Sequence, residues 1–288
     1  MKLFLIKISK FLFIPLLYFT VNMLVNWWVY KDQDIPLEKV SMLIAGDSHP
    51  QRSLDPELLH EAENISQLAE PYLITYWKLK AVYESFVPDT LVLGFALHNI
   101  SAVNDLKLAK NRWSAEMFKR SYSIVDFRNL HEEIQVDYKK YVQTLWKQTA
   151  LYPKHNHVQF IGEYANKAQT KLGNWKKVID RHYFFKQDLM PISNASMAYL
   201  DSIARLCEAQ QTQLILVSNP LHETYLTKIP KHISVAYDSL KAVYDKKAII
   251  YDLSKTYYPD SLYLNCDHLN SNGAKRFTTS FNSFLKGS

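Results

Sequence analysis

A run of 20 residues without a charge lies near the N-terminus and constrains the chain more than any other feature. Residues 11–30 carry only apolar, aromatic and uncharged polar side chains. At a rise of about 1.5 Å per residue, about 20 helical residues cross the hydrocarbon core of a bilayer. Trp27, Trp28 and Tyr30 stand at the far end of the run, where aromatic rings favour the membrane interface. The run therefore predicts one transmembrane helix.

Charged residues flank this run unequally and indicate its orientation. Lys2, Lys7 and Lys10 precede the run, whereas Lys31 is soon followed by acidic residues. The positive-inside rule then leaves the N-terminus in the cytoplasm and places the rest of the chain in the periplasm or outside the cell. A cleavable signal peptide is the alternative, but the residues after the run offer no small-x-small cleavage site. We expect residues 1–34 to be a retained membrane anchor and linker.

Two polar residues interrupt the apolar surface of the predicted helix. Asn22 and Asn26 are four positions apart and share one helix face. Amide side chains in a membrane bond to neighbouring helices, so this face favours contact with a membrane-embedded partner. The alternative is that both residues lie near the interface and have no specific role.

The net charge of +6 raises the question of nucleic-acid binding. Lys and Arg are spread along the chain rather than clustered, which is typical of a solvated surface near an anionic membrane. We therefore expect no nucleic-acid partner. The two cysteines are too few to form a disulfide framework for a domain of this size.

Strand-like and helix-like segments alternate through the rest of the chain. Short apolar runs that end at turn residues predict buried strands, and amphipathic segments between them predict helices. The predicted strands are 41–45, 65–68, 91–93, 214–217 and 248–252, and the predicted helices are 54–62, 74–86, 195–210, 236–244 and 272–285. This alternation predicts an α/β fold, a three-layer sandwich with a mostly parallel sheet. We expect one domain over 35–288, with a mostly helical insertion at about 105–190.

Ser48 and His268 are the strongest candidates for chemistry. Ser48 directly follows the first predicted strand, and His268 stands just before the last predicted helix. In an open parallel sheet, sites form beyond the carboxyl ends of the strands, where both residues would lie. A histidine that takes the proton of a serine hydroxyl turns that serine into a nucleophile.

The segments around these two residues resemble a known family. Ile44-Ala45-Gly46-Asp47-Ser48 resembles the first sequence block of the SGNH, or GDSL-type, esterases and acyltransferases. Asp267-His268-Leu269-Asn270 resembles the last block of the same family. The resemblance covers about residues 40–285, leaves the insertion unmatched, and is closest to the membrane-anchored branch that modifies cell-surface polysaccharides. It implies an SGNH-like fold with Ser48 as the nucleophile and His268 as the general base.

Three positions depart from the pattern of this family. The family has an Asp three residues before the catalytic His, where this chain has Asn265, and the adjacent Asp267 is the alternative partner for the imidazole. The resemblance also implies an oxyanion hole made of the serine amide, a glycine and an Asn. No glycine occurs around residues 64–67, and Ala96 stands where the Asn is usual, so that Asn99 is the nearest candidate.

Two functions follow from these observations. The first is a serine esterase or O-acyltransferase that acts on acyl esters of a cell-envelope glycan. The second is a non-catalytic SGNH-like accessory domain that binds glycan or a polysaccharide-assembly partner, which the departures from the family pattern favour. Neither function implies a metal or a cofactor. We expect His49 and His98 only to line the pocket, and His155 and His157 to lie in a solvated loop.

Overall fold

Seven strands are found in the computed structural model, which describes residues 1–109, 112–173 and 175–287. They are β1 (Met42–Ala45), β2 (Ala62–Asn64), β3 (Thr90–Gly94), β4 (Phe184–Phe185), β5 (Asp188–Leu189), β6 (Gln213–Ser218) and β7 (Ile249–Asp252). Five of them form one parallel sheet in the order β2-β1-β3-β6-β7, and β4 and β5 form a separate antiparallel hairpin.

Ten α-helices accompany these strands in the described residues. They are α1 (Lys2–Asp32), α2 (Ser48–Ser53), α3 (Tyr72–Ser85), α4 (Ser114–Ser121), α5 (Tyr138–Thr149), α6 (Trp175–Tyr183), α7 (Asn194–Ala209), α8 (Glu223–Leu226), α9 (Lys231–Tyr244) and α10 (Ser271–Gly287).

Alternate residues of the sheet strands belong to two separate hydrophobic cores. Leu43, Leu91 and Leu214 are in register across β1, β3 and β6 and share a core with side chains of α3, α7 and α9. Ile44 and Val92, one residue further along their strands, share a core with the aromatic side chains of α10. Because successive strand residues point to opposite faces, a sheet that is apolar on both faces needs helices on both. This three-layer arrangement confirms the predicted α/β fold.

The first helix after β1 differs from the predicted one. We expected a helix over 54–62, but α2 already begins at Ser48. The Asp47 carboxylate accepts the His49 N–H at 2.9 Å and caps the new helix. Within the predicted range only a short 3₁₀ turn, Pro56–Leu58, is formed. The cap therefore turns the chain into a helix directly at the end of the strand.

The inserted region is less helical than expected. It contains α4, α5, α6 and the β4–β5 hairpin, but residues 150–173 form neither helix nor strand. This irregular stretch runs close to the carboxyl edge of the sheet, because its backbone N–H groups donate to carbonyls there. The bonds are Gly162 to Ile65 at 3.1 Å, Ala165 to Gln51 at 3.1 Å and Lys171 to Leu264 at 2.7 Å. Hydrogen bonds to the domain replace those that a helix would make internally.

Helix α1 has 31 residues, and most of its apolar side chains are exposed. Among the described residues it is the one helix long and apolar enough to cross a membrane. Its two asparagines, Asn22 and Asn26, are buried and donate hydrogen bonds to carbonyls of residues 149–152 in the same chain. These bonds are made within the chain, and contact of this face with a membrane-embedded partner stays a prediction.

Candidate active site

Ser48 is placed at the carboxyl edge of the sheet by a close fit between α2 and the ends of β1 and β3. Gly46 has a φ of +134°, which side chains other than glycine rarely adopt. A Cβ at Gly46 would lie 3.0 Å from Pro50 Cγ, and one at Gly94 would lie 2.7 Å from Pro50 Cγ and Cδ. Two glycines therefore admit the Pro50 ring, and α2 can start directly above the strands.

The structure brings Ser48 and His268 into direct contact. His268 Nε2 lies 2.8 Å from Ser48 Oγ, although the two residues are 220 positions apart. Both line a cavity of about 310 Å³ and are themselves mostly buried. The histidine sits in a tight turn that is closed by the Leu264 N–H, which donates to the His268 carbonyl at 2.9 Å. A serine and an imidazole at this distance are arranged for proton transfer.

The Asn265 side chain fixes the tautomer of His268. Its Oδ1 accepts from the backbone N–H groups of Asp267, at 3.1 Å, and of His268, at 2.8 Å. The same oxygen lies 3.1 Å from His268 Nδ1. An amide oxygen can only accept, so Nδ1 carries the proton and Nε2 is free to accept from the Ser48 hydroxyl.

The Asp267 carboxylate approaches the same ring nitrogen. Its Oδ1 lies 3.0 Å from His268 Nδ1 but makes no hydrogen bond with suitable angles, so its action on the ring is electrostatic. Its Oδ2 lies 3.4 Å from Arg181 Nη2 and 3.7 Å from His182 Nε2. The position usually held by an aspartate is thus shared, with Asn265 supplying the hydrogen bond and Asp267 the charge.

Burial and charge oppose each other at this pair. Burial by itself raises the pKa of Asp267, but the neighbouring His268, His49 and His182 outweigh it and hold that pKa well below its usual value. Burial lowers the pKa of His268, and the Asp267 charge only partly offsets this effect. His268 is therefore neutral near pH 7, as a general base must be.

A second polar network lies behind Ser48. Asp47 Oδ2 lies 2.6 Å from His98 Nε2 and accepts from Asn99 Nδ2 at 2.8 Å. Asn99 Oδ1 in turn accepts the Ala96 N–H at 2.7 Å. Burial by itself raises the pKa of Asp47, yet the contacts with His98 and His49 lower it far below its usual value. The side chain of Asn99 thus supports Asp47 from behind the cavity wall, and its expected oxyanion role stays a prediction.

Ala69 is a site residue that the sequence did not indicate. It lies in the loop between β2 and α3, lines the cavity, and has a φ of +60°. Within the described residues, neither its backbone N–H nor that of Ser48 has a hydrogen-bond acceptor. Two free backbone N–H groups beside a nucleophile are the usual components of an oxyanion hole. A left-handed backbone at an alanine leaves no signal in the sequence, whereas glycine would have.

A buried ion pair holds this loop from below. Lys78 Nζ lies 2.6 Å from Glu70 Oε2 and donates to the Ile65 carbonyl at 2.7 Å. Both charged side chains are fully buried. The pair ties the residue that follows Ala69 to the central helix α3, and so fixes one wall of the cavity.

The mouth of the cavity carries several cations and an aromatic ring. Lys107, Arg112 and Arg181 line it together with Trp113. Lys107 Nζ lies 5.2 Å from the centre of the Trp113 ring. Burial lowers the pKa of Lys107 to about 8, since the nearby Asp47 charge only partly offsets it. All these residues come from the insertion or its edges, where the sequence pattern gave no motif.

Three site residues have the chemistry of metal ligands. His49, Asp267 and His268 place one ligand atom each within 4.8 Å of one another. Both ring nitrogens of His49 are buried without a hydrogen-bond partner in the described residues. His268 Nδ1 faces Asp267 while Nε2 faces Ser48, so an ion held by this group at Nδ1 would displace the proton that Asn265 and Asp267 face. The expectation of a metal-free site stays a prediction.

The other histidines of interest differ in their surroundings. His98 lines the cavity, as expected, and stacks on His182 with ring centres 4.3 Å apart. His157 is buried and contacts the Tyr122 hydroxyl at 2.5 Å, so the expected solvated loop is wrong for this residue. His155 is exposed.

No family model matches the sequence, and no match is found among curated proteins. Similar solved structures include a proposed platelet activating factor from Streptococcus pneumoniae, which is 10% identical with a TM-score of 0.47 and is matched over 97% of this chain and 98% of the other. A proposed acylhydrolase from Bacteroides fragilis is 10% identical with a TM-score of 0.42, over 90% and 93% of the two chains. At these values the similarity carries no argument about activity, which rests on the side chains.

Proposed function

We propose that this chain is a serine-dependent esterase or O-acyltransferase. The observation that carries the proposal is the 2.8 Å contact between Ser48 Oγ and His268 Nε2 at the wall of a cavity. The Nδ1 proton of the ring is fixed by Asn265, so the free Nε2 lone pair faces the hydroxyl. This is the geometry of acyl transfer through a covalent acyl-serine.

In the first half of the reaction, Ser48 Oγ attacks the carbonyl carbon of an ester and its proton passes to His268 Nε2. The carbonyl oxygen becomes an oxyanion, which the Ser48 and Ala69 N–H groups stabilise. The C–O bond to the leaving alcohol then breaks, and that alcohol takes the proton from Nε2. In the second half, water or a sugar hydroxyl loses its proton to Nε2 and attacks the acyl-serine carbonyl carbon. The bond from that carbon to Ser48 Oγ then breaks, and Oγ takes the proton back from Nε2, which releases the acid or the new ester. Asp267 stabilises the imidazolium in both halves through its charge.

The substrate class follows from the mouth of the cavity. The cations Lys107, Arg112 and Arg181 attract negative charge, and Trp113, over whose ring Lys107 and Arg112 lie at 5.2 and 5.1 Å, adds an aromatic surface. We therefore propose an acyl ester on an anionic glycan. With the predicted orientation of α1, we propose that such a substrate lies in the cell envelope, outside the cytoplasm.

A non-catalytic binding role is the second candidate. The absence of an aspartate at Asn265 favours it, because a neutral partner stabilises imidazolium less than a carboxylate does. The 3.0 Å approach of Asp267 to the same ring nitrogen supplies a charge nearby and so favours catalysis.

Labelling with a fluorophosphonate probe tests the nucleophile. We expect the wild-type chain to be labelled and to hydrolyse a simple acetyl ester, and both activities to disappear in Ser48→Ala. Ser283→Ala is the matched control, since this serine lies on α10 and its hydroxyl only bonds to the Thr279 carbonyl. Equal labelling of the wild-type and Ser48→Ala chains contradicts the proposal.

A second measurement separates the two candidate functions. The measurement is the release of acetate from O-acetylated polysaccharides, both anionic and neutral, with and without an oligosaccharide acceptor. Free acetate indicates hydrolysis, whereas acetylation of the acceptor indicates transfer. A chain that binds the glycan with no probe labelling and no turnover is an accessory domain.

A further inference from the structure

The segment that follows α5 is attached to the middle of α1. Asn22 Nδ2 donates to the carbonyls of Ala150 and Leu151, at 3.1 and 3.3 Å. Asn26 Nδ2 donates to the carbonyls of Thr149 and Tyr152, at 2.9 and 3.0 Å. The hydroxyl of Tyr18 also donates to the Leu151 carbonyl, at 2.8 Å. All four carbonyls of residues 149–152 are thus bonded by side chains of the apolar helix.

The position of these contacts along α1 sets their depth in a membrane. From Lys2 to Tyr18 the helix rises about 24 Å, at about 1.5 Å per residue. The hydrocarbon core is about 30 Å thick. The part of α1 that precedes Tyr18 is therefore too short to cross the core, even if the crossing begins at Lys2. If α1 crosses the bilayer over its uncharged residues 11–30, Tyr18, Asn22 and Asn26 lie about 10–23 Å from the start of the crossing, and residues 149–152, which they bond, lie within the core.

The chemistry of the contact suits a lipid environment. Backbone carbonyls at the end of a helix have no partner within that helix. In water they bond to solvent, but in hydrocarbon an unsatisfied carbonyl is strongly unfavourable. The two asparagines meet this need and are themselves buried, with 5% and 1% of their surface exposed for Asn22 and Asn26. An irregular segment is thereby made compatible with lipid.

The outward face of α5 has the pattern of a helix that lies in a membrane interface. Tyr138, Val142 and Trp146 recur every four residues and are 59%, 59% and 46% exposed. The Trp146 ring contacts Phe19 of α1, with ring centres 4.9 Å apart, and so continues the surface of the anchor. Lys139 and Lys147 form the neighbouring exposed stripe, where their side chains can reach lipid phosphates.

We infer that α5 and residues 149–152 form a second membrane-embedded element, inserted in the bilayer beside α1. The stripe of Tyr138, Val142 and Trp146 faces acyl chains, and Lys139 and Lys147 face the phosphates of the lipid headgroups. With two elements in the bilayer, the rest of the domain is held at a fixed height and rotation relative to the membrane. Attachment through α1 alone would leave the domain free to rotate and tilt. The inference rests on insertion of α1 and is independent of the chemistry at Ser48.

Quenching by lipids tests the inference in the full chain. Single cysteines at Val142 and Leu151 are labelled with an environment-sensitive fluorophore, in vesicles of phosphatidylcholine and phosphatidylglycerol that contain doxyl-labelled lipid. Val235→Cys on α9 is the matched control, because Val235 is 57% exposed against 59% for Val142. Leu24→Cys on α1, 61% exposed, reports on the anchor itself. The natural cysteines are buried, and an unsubstituted chain gives the background.

We expect the labels at Val142 and Leu151 to be quenched nearly as strongly as the label at Leu24, with blue-shifted emission, and the label at Val235 to stay unquenched. If the label at Leu24 is quenched but the labels at Val142 and Leu151 stay as unquenched as the label at Val235, the inference is wrong while α1 still spans the membrane. If the label at Leu24 is not quenched, α1 does not span the bilayer, and the inference that rests on its insertion is wrong.

Replacement of the asparagines tests the attachment to α1. In the Asn22→Leu, Asn26→Leu double variant, the Leu24 label should stay quenched while quenching at Leu151 falls to the level of Val235. Unchanged quenching at Leu151 overturns the role given to the asparagines.

Discussion

Replacement of Asp267 by Asn is the sharpest test of how this site works, because it removes the charge beside His268 and nearly keeps the shape. Asp267 Oδ1 lies 3.0 Å from His268 Nδ1. At that distance and an effective dielectric constant of about 20, Coulomb's law gives about 5.5 kcal/mol between the carboxylate and the imidazolium. Since 1.36 kcal/mol is a factor of ten in rate, we expect kcat/KM to fall by about 10³- to 10⁴-fold.

The pH dependence of the same variant gives a second readout. Asp267 raises the pKa of His268 against the lowering effect of burial. Removal of the carboxylate therefore lowers this pKa further, and the base must be neutral to act. We expect the rise of kcat/KM with increasing pH to move to lower pH by one unit or more, about 1.4 kcal/mol per unit, while the plateau falls. Initial rates of acetyl-ester hydrolysis between acid and neutral pH measure both effects.

Two comparisons make this test decisive. Asp260 lies 3.2 Å from His222 at a surface where its side chain is 69% exposed, so Asp260→Asn removes a carboxylate from a similar pair outside the site and should leave kcat/KM unchanged. Asn265→Ala removes the hydrogen bond to Nδ1 and should lower kcat/KM about fivefold, the loss of one hydrogen bond of about 1 kcal/mol. A loss below tenfold in Asp267→Asn with an unmoved pH profile, together with a larger loss in Asn265→Ala, refutes the electrostatic role of Asp267.

Three further predictions concern the surroundings of the site. Lys78→Met leaves the buried Glu70 charge unpaired and should lower the free energy of unfolding by about 3–5 kcal/mol in urea titrations, with partial recovery when Glu70→Gln is added. Lys107 has a pKa of about 8 and is charged at lower pH. The KM for an anionic ester should therefore rise above pH 8, while the KM for a neutral ester stays constant. The same pH-dependent rise in a Lys107→Gln chain contradicts this prediction. Asp47→Asn weakens the charged hydrogen bond to His98 and should lower kcat about 10- to 100-fold, by about 1.5–3 kcal/mol, with fluorophosphonate labelling of Ser48 retained at a slower rate; unchanged kcat means that the network behind Ser48 does not position it.

Local patterns were enough to predict the elements that build this fold. The sheet strands β1, β3, β6 and β7 and the helices α3, α7, α9 and α10 lie within a few residues of their predicted positions, because apolar periodicity and turn residues act over short distances. The prediction failed at α2 and β2. There the Asp47 cap starts a helix at once, and this depends on the ring of Pro50 fitting between two glycines. Pro50 fits against glycines at the ends of two different strands, β1 and β3, so no single segment of the sequence indicates this contact.

The sequence by itself determined which residues stand at the carboxyl edge of the sheet and that an apolar helix precedes the domain. Only the tertiary structure decided that Ser48 and His268 touch, and that Asn265 and Asp267 divide the role of one aspartate between hydrogen bond and charge. It also decided that Ala69 adopts a left-handed backbone at the cavity wall and that Asn22 and Asn26 bond to the end of α5. Strand and helix positions follow from burial and capping among near neighbours, whereas contacts across 100 or more residues depend on how packed layers meet, which no local pattern encodes.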